Sequence, residues 1–430
     1  MDLLLSKERG TLYLDMKLPE HFTIDDDGRC VIPDGITEIG DSVFYNCHKL
    51  TTVVIPKGVT RIGNWAFTLC YGLTSVTIPD SVTEIGINAF CGCFALASIY
   101  IPDSVIKIGR GAFSRCFNLT SVRIPDSITE FEDGILDEKD KDREWYYDDD
   151  YEYDGCFSGC SRLTSIKLPK NLTKIGKNTF SDCDGLTSIE IPESVTEIGE
   201  RAFEYCRQLS SIKIPDSVTE IRKNAFCGCY RLTTVEIPSN VTKIDYCAFW
   251  CSELSSVKIP DSVTEIGERA FEGSERLSSI NIPKGVTVIN NQAFFGCSML
   301  SSVKIPDGVT RIGRAAFRKC SRLTSIEIPD SVLEIGEKAF ADCTGLTAVE
   351  IPGSVTDLGE YAFGDCKNLT SVYIRTYDKS PENAKNALMI SQHFDPATVS
   401  LKVPAGCADT YRHHTDFNGK FKEILEVLEK

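Results

Sequence analysis

Apolar and polar positions along this chain repeat with one long period. The stretch over 73–93 reads LTSVTIPDSVTEIGINAFCGC, and close relatives of it recur from end to end. Prolines stand at 33, 56, 79, 102, 125, 169, 192, 215, 238, 260, 283, 306, 329 and 352, at a spacing of 23 with one 22 and one 44. The 44 is one unit plus a 21-residue insertion, and the 22 reads as one residue lost between Phe249 and Cys251. A unit this short cannot bury its apolar face alone, so neighbours must stack into a continuous core. The chain is therefore one array of about fourteen units.

Within a unit, Leu73, Val76 and Ile78 predict a short strand with its apolar residues inward. Pro79 lacks an N–H and ends that strand. Val82 and Ile85 return to the core, and Gly86 follows at a position that is Gly in ten of the fourteen units. Asn290 and Asp245 among the exceptions predict a left-handed backbone there, although Arg222 does not fit and Glu132 stands where the insertion begins. The A-F-x-x-C segment predicts a turn or a single helical turn, with its Phe stacked into an aromatic spine.

The pattern L-x-x-V-x-I-P-x-x-V-x-x-I-G-x-x-A-F-x-x-C resembles the BspA-type leucine-rich repeat, in register over 28–374. The resemblance implies an α/β fold: a right-handed leucine-rich-repeat solenoid with one long parallel sheet and short turns or helical turns opposite. It also implies a bacterial surface or secreted protein that adheres to host or microbial partners. Residues 1–27 are expected to form an N-terminal cap, and 375–430 a C-terminal cap with a strand over 397–403. Phe421, Ile424, Leu425 and Leu428 fit the apolar stripe of a final helix.

Three columns of each strand face solvent. Two are nearly all Ser and Thr, as in Thr74 and Ser75. The third runs Val54, Thr77, Tyr100, Arg123, Lys167, Glu190 and Lys213, and alternates in sign from Lys167 onward. Another series, Glu38, Arg61, Glu84, Lys107, Glu130 and Lys174, alternates likewise and predicts structural ion pairs between successive units. Val54, Thr77, Tyr100 and Arg123, at the start of the third column, do not alternate in charge, and Tyr and Arg are enriched at binding hot spots. They are candidate ligand-binding residues.

Charge adds a second candidate. The chain of 430 residues carries −16, and residues 132–154 hold 12 acids and 3 bases, more than half of that excess. Trp145, Tyr146, Tyr147, Tyr151 and Tyr153 are interleaved with the acids. The segment reads as a solvated loop or as a protein-contact loop with aromatic anchors. Asp150, Glu152 and Asp154 also approach the alternating-carboxylate spacing of a calcium loop, although Ser161 stands where an EF-hand needs Glu. No cofactor other than calcium is expected.

Catalysis finds little material. Only five His occur, and none lies between His48 and His393. No phosphate loop, H-E-x-x-H or G-x-S-x-G motif is present. Of 19 Cys, thirteen form a ladder from Cys47 to Cys366, with Ser274 in its one gap. A ladder with the array's own period predicts buried free thiols. The expectation is a non-enzymatic monomer that binds a protein or glycan. No nucleic acid is expected, because the acidic balance repels phosphates, and no membrane span, because no apolar run is long enough. The start MDLLLSKERG does not read as a signal peptide. The rival expectation is an intracellular scaffold whose acidic aromatic loop docks a partner.

Overall fold

The structure, a computed structural model, describes residues 24–131, 155–375, 396–414 and 419–427, together with the main chain of the strands Leu5–Glu8 and Thr11–Leu14. The chain forms a parallel β-solenoid with little helix. It divides into two compact units, one of Met1–Val218 with Asn224–Arg231, the other of Thr219–Lys223 with Leu232–Lys430.

In the first unit each coil contributes two short strands. The three-residue strands, such as Thr52–Val54 and Ser75–Thr77, pair in parallel with a 23-residue offset, Val53 opposite Val76. Their middle residues point into the core and the flanking ones outward, the two-residue alternation of a strand. After the proline, two-residue strands such as Arg61–Ile62 and Glu84–Ile85 form a second parallel row. That second row is absent from the sequence reading, which has one sheet. The second unit repeats both rows, with Ser279–Asn281 on Ser302–Lys304 and Arg311–Ile312 on Glu334–Ile335.

The spine forms as the sequence requires. In the first unit, rings stack from Phe44–Phe67 at 4.9 Å to Phe203–Phe226 at 5.5 Å, and in the second from Phe249–Phe271 at 5.5 Å to Phe340–Phe363 at 5.2 Å. Phe113 stacks directly on Phe157 at 5.6 Å, so the coils on either side of the insertion pack as neighbours. Ser121 is in register with Ser165 across the same gap.

Gly86 is not left-handed. The left-handed positions lie two and six residues further on, as in Asn88 (φ 52) and Gly92 (φ 71), or Trp65 (φ 54) and Leu69 (φ 60). Gly86 is there because coils touch: a Cβ on it would lie 2.7 Å from the Asn64 nitrogen and 2.7 Å from the Gly63 carbonyl carbon. On the left-handed face, the N–H groups of Trp65, Phe67 and Leu69 donate to the carbonyls of Ile87, Ala89 and Cys91 in the next coil. Those bonds offset the roughly 1 kcal/mol that a side chain costs in this conformation.

Strands pair at both ends, and the C-terminal one differs from expectation. Thr11–Leu14 pairs in parallel with Glu38–Ile39 and as a hairpin with Leu5–Glu8. Ser400–Pro404 continues the sheet, and the stretch read as a helix is its outermost strand, Glu423–Val427, paired with Ser400–Pro404 in parallel. The helix of this region is Ala408–His413. Pairing decides the matter, because Ser400–Pro404 would otherwise present an open edge.

Candidate functional site

The candidate surface lies on the first unit. The outward third residue of successive strands is Val31, Val54, Thr77, Tyr100, Arg123 and Lys167, all exposed. Register places Tyr100 beside Arg123, and Arg123 beside Lys167, on adjacent strands. Tyr100 is 59% exposed, and Arg123 reaches back to Asp103, 2.9 Å away. The structure thus brings together the two residues that the sequence singles out. In this column Arg123 pairs diagonally with Asp103, and Lys213 with Glu193 at 2.6 Å.

The two Ser/Thr columns have different roles. Thr74, Thr120 and Thr164 donate their hydroxyls to main-chain carbonyls of the preceding coil, at 3.0, 3.3 and 3.2 Å. They are committed to holding coils together. Ser98, Ser121 and Ser165 are exposed and stand next to one another in register.

A feature missing from the sequence reading lies in the same unit. His48, Tyr71, Phe94 and Phe117, each one residue after a ladder cysteine, form a second aromatic stack with centroids 4.6, 4.5 and 4.7 Å apart. Tyr71 and Phe117 are exposed. Reading the residue after each ladder cysteine as a column would have found it. Exposed Val31, Val54 and Ile106 lie in the same coils, and Ile106 stands where its neighbours have Thr83 and Thr129. Trp145, Tyr146, Tyr147, Tyr151, Tyr153 and the calcium candidates Asp150, Glu152 and Asp154 lie outside the described residues.

The alternating column does pair. Glu84 lies 3.9 Å from Arg61 and 3.7 Å from Lys107, and Lys174 lies 3.4 Å from Glu197. In the second unit Lys243 meets Glu265 at 3.2 Å and Arg311 meets Glu334 at 2.9 Å. These contacts are partly open to solvent, each worth up to about 1 kcal/mol, and they order the coils.

All 19 cysteines are free thiols, and all but Cys251 are buried. Burial pushes the thiol of Cys30 up to about 11 and that of Cys366 up to about 12, and drives Cys93, Cys183 and Cys206 well above their ordinary value. Such thiols are poor nucleophiles and poor metal ligands. Among the described residues, no His, Cys, Asp and Glu side chains converge as a metal site. One ladder assignment changes. Ser252, not Cys251, holds the buried ladder position and meets the Ser274 hydroxyl at 3.1 Å. The missing residue therefore lies between Ser252 and Leu254, and Cys251 sits in a left-handed turn (φ 54).

The sequence matches the BspA type leucine rich repeat region in 6 copies, over 28–141, 153–278 and 264–384. A leucine-rich repeat protein from Bacteroides ovatus is 26% identical, with a TM-score of 0.62, over 100% of this chain and 99% of that one. A leucine rich cell surface protein from Faecalibacterium prausnitzii is 26% identical over 97% of this chain and 98% of that one, with a TM-score of 0.42. Among curated proteins, none matches the chain. No helix among the described residues is long and apolar enough to cross a membrane. With fourteen repeats in register and the family match spanning most of its length, the chain belongs to the BspA-type leucine-rich-repeat family.

Proposed function

We propose that the protein is a non-enzymatic binding solenoid, a bacterial surface or secreted adhesion protein that contacts a protein or glycan through the exposed sheet of its first coils. The observation that carries this reading is Tyr100, 59% exposed and in register with Arg123, beside a row of exposed serines. A large aromatic side chain exposed beside a guanidinium is the composition that anchors interfaces. Repeat arrays suit the role because contacts spread over many coils. Membership of a repeat family that is generally non-catalytic supports the non-enzymatic assignment. Residues 1–27 and 375–430 serve as caps around the repeats of 28–374, and the protein acts as a monomer.

The test is binding of the full chain and of a Tyr100→Ala/Arg123→Ala variant to glycan and extracellular-protein arrays. The expected result is a ligand retained by the parent and weakened about tenfold or more in the variant, the loss of one hot-spot contact. A deletion of 132–154 separates the rival reading. If that deletion abolishes binding and the double substitution does not, the chain is a scaffold that docks through its acidic aromatic segment.

A further inference from the structure

Three strands of the first unit, Ser98–Tyr100, Ser121–Arg123 and Ser165–Lys167, run side by side in parallel register. Their outward residues make two rows of three, Ser98, Ser121 and Ser165 in one and Tyr100, Arg123 and Lys167 in the other. Neighbours within a row are about 4.8 Å apart, the spacing of paired strands. The grid has a definite chemistry. Arg123 and Lys167 put two cations on adjacent strands of a chain whose net charge is −16. Lys167 is exposed and makes no ion pair among the described residues, and Arg123 has only its exposed contact with Asp103. Like charges directly opposite each other repel, and a carboxylate between them relieves that repulsion with charge-assisted hydrogen bonds.

The other four residues select what carries the carboxylate. Among the described residues the Tyr100 ring has no aromatic or cationic partner, so its electron-rich face is open to polarised C–H bonds. The hydroxyls of Ser98, Ser121 and Ser165 are exposed, make no hydrogen bond among the described residues, and can each donate and accept. The main-chain groups of the middle strand are paired to strands on both sides, so a peptide cannot bind by adding a strand beside it. Recognition falls to side chains alone: an aromatic face, a row of hydroxyls and a pair of cations.

We propose that this face binds a carboxylated linear saccharide, a chain of hexuronate residues laid across successive strands. One ring rests on Tyr100, a carboxylate of the next lies between Arg123 and Lys167, and sugar hydroxyls meet the serine row. This inference rests on the contact surface of the preceding subsection and names its ligand class.

The test is titration calorimetry of the full chain with tetragalacturonate, with its methyl ester, and with tetraglutamate. The ester keeps the rings without the charge, and the peptide keeps the charge without the rings. Tetragalacturonate is expected to bind about tenfold more tightly than either, more so at low salt. Arg123→Gln and Lys167→Gln are each expected to weaken it by about five- to tenfold, and Tyr100→Ala to weaken acid and ester by a similar factor. All are exposed positions, and unchanged thermal melts confirm folded variants. Equal binding of acid and ester, binding of tetraglutamate as tight as that of the saccharide, or no binding of any probe overturns the assignment. If the arrays give a ligand that needs Tyr100 and Arg123 while tetragalacturonate does not bind, the contact surface stands and only the uronate assignment falls.

Discussion

The thiol of Cys70 donates a hydrogen bond to the main-chain carbonyl of Phe44, 3.0 Å away in the preceding coil. The same carbonyl accepts the Cys47 N–H at 3.1 Å, so the thiol fills its second lone pair. The contact recurs at Cys93, Cys160, Cys206 and Cys343, always 26 residues or one insertion beyond the phenylalanine. The ladder is thus a line of weak donors that ties each coil to the one before. Ser252 and Ser274 interrupt it and satisfy one another instead.

Those buried thiols make the fold sensitive to alkali. In the unfolded chain a thiol ionises near ~8.5, whereas in the fold burial pushes Cys30 up to about 11 and Cys206 well above its ordinary value. Between these values the unfolded chain has lost protons that the folded chain keeps. Stability is therefore full below the unfolded pKa and falls as pH rises, by about 1.4 kcal/mol per pH unit for each such thiol. Urea melts in reductant at pH 7, 9 and 10 should show that fall, and Cys206→Ala should make it shallower while costing roughly 1–3 kcal/mol at pH 7. An unchanged pH slope in the variant would remove the thiols as the cause.

Gly86 and Gly308 predict opposite outcomes for the same change. A methyl group on Gly86 meets main-chain atoms at 2.7 Å, which cannot move without separating two coils. Gly86→Ala should therefore destabilise by about 1–3 kcal/mol. At Gly308 the nearest contact is the Lys284 carbonyl at 3.5 Å, and Gly308→Ala should be neutral or gain up to about 1 kcal/mol. Asn290 shows how the first site tolerates a side chain, because its amide donates to the Ile266 carbonyl at 2.8 Å. Gly86→Asn should accordingly cost less than Gly86→Ala, and thermal melts of the three variants decide it.

The contrast also marks what a sequence of this kind discloses. Phe113 and Phe157, the Glu84–Lys107 pair and the adjacency of Tyr100 and Arg123 all follow from counting in steps of the repeat. Counting fails where the cause lies in the space between coils. Gly86 and Asn290 look like left-handed residues, yet proximity to the preceding coil explains the first and an amide hydrogen bond the second. The gap near Cys251 can be moved along the sequence freely until burial chooses Ser252 for the core. Ile424 and Leu425 fit a helix stripe equally well, and only the partner strand at Leu401 and Lys402 settles their conformation.

Tyr71 holds two rings in register, His48 at 4.6 Å and Phe94 at 4.5 Å. Each stacked pair is worth ~0.5–1.5 kcal/mol beyond the area it buries, so Tyr71→Ala should cost about 1–3 kcal/mol and Tyr71→Phe little. Because the stack is exposed, the loss should show as faster amide exchange in the coils around His48 and Phe94 before any global unfolding. Uniform exchange across the first unit in Tyr71→Ala would mean that the stack carries no local stability.

Glu84 lies between Arg61 and Lys107, one carboxylate shared by two cations on neighbouring strands. Neutralising it in Glu84→Gln leaves the cations two strands apart and should cost at most about 1 kcal/mol, the value of an exposed pair. Reversing it in Glu84→Lys sets three like charges in adjacent positions of one column. Each cross-strand repulsion adds a few tenths to about 1 kcal/mol, so this variant should lose roughly 1–2 kcal/mol at low salt. Lys107 is exposed and Arg61 and Glu84 are half-buried but reach solvent, and the Debye length shrinks to about 3 Å at 1 M salt, so most of that loss should vanish there. A Glu84→Lys deficit that persists undiminished in high salt would mean that the side chain, and not its charge, positions these coils. The alternation from Glu38 to Lys174 would then be a matter of packing.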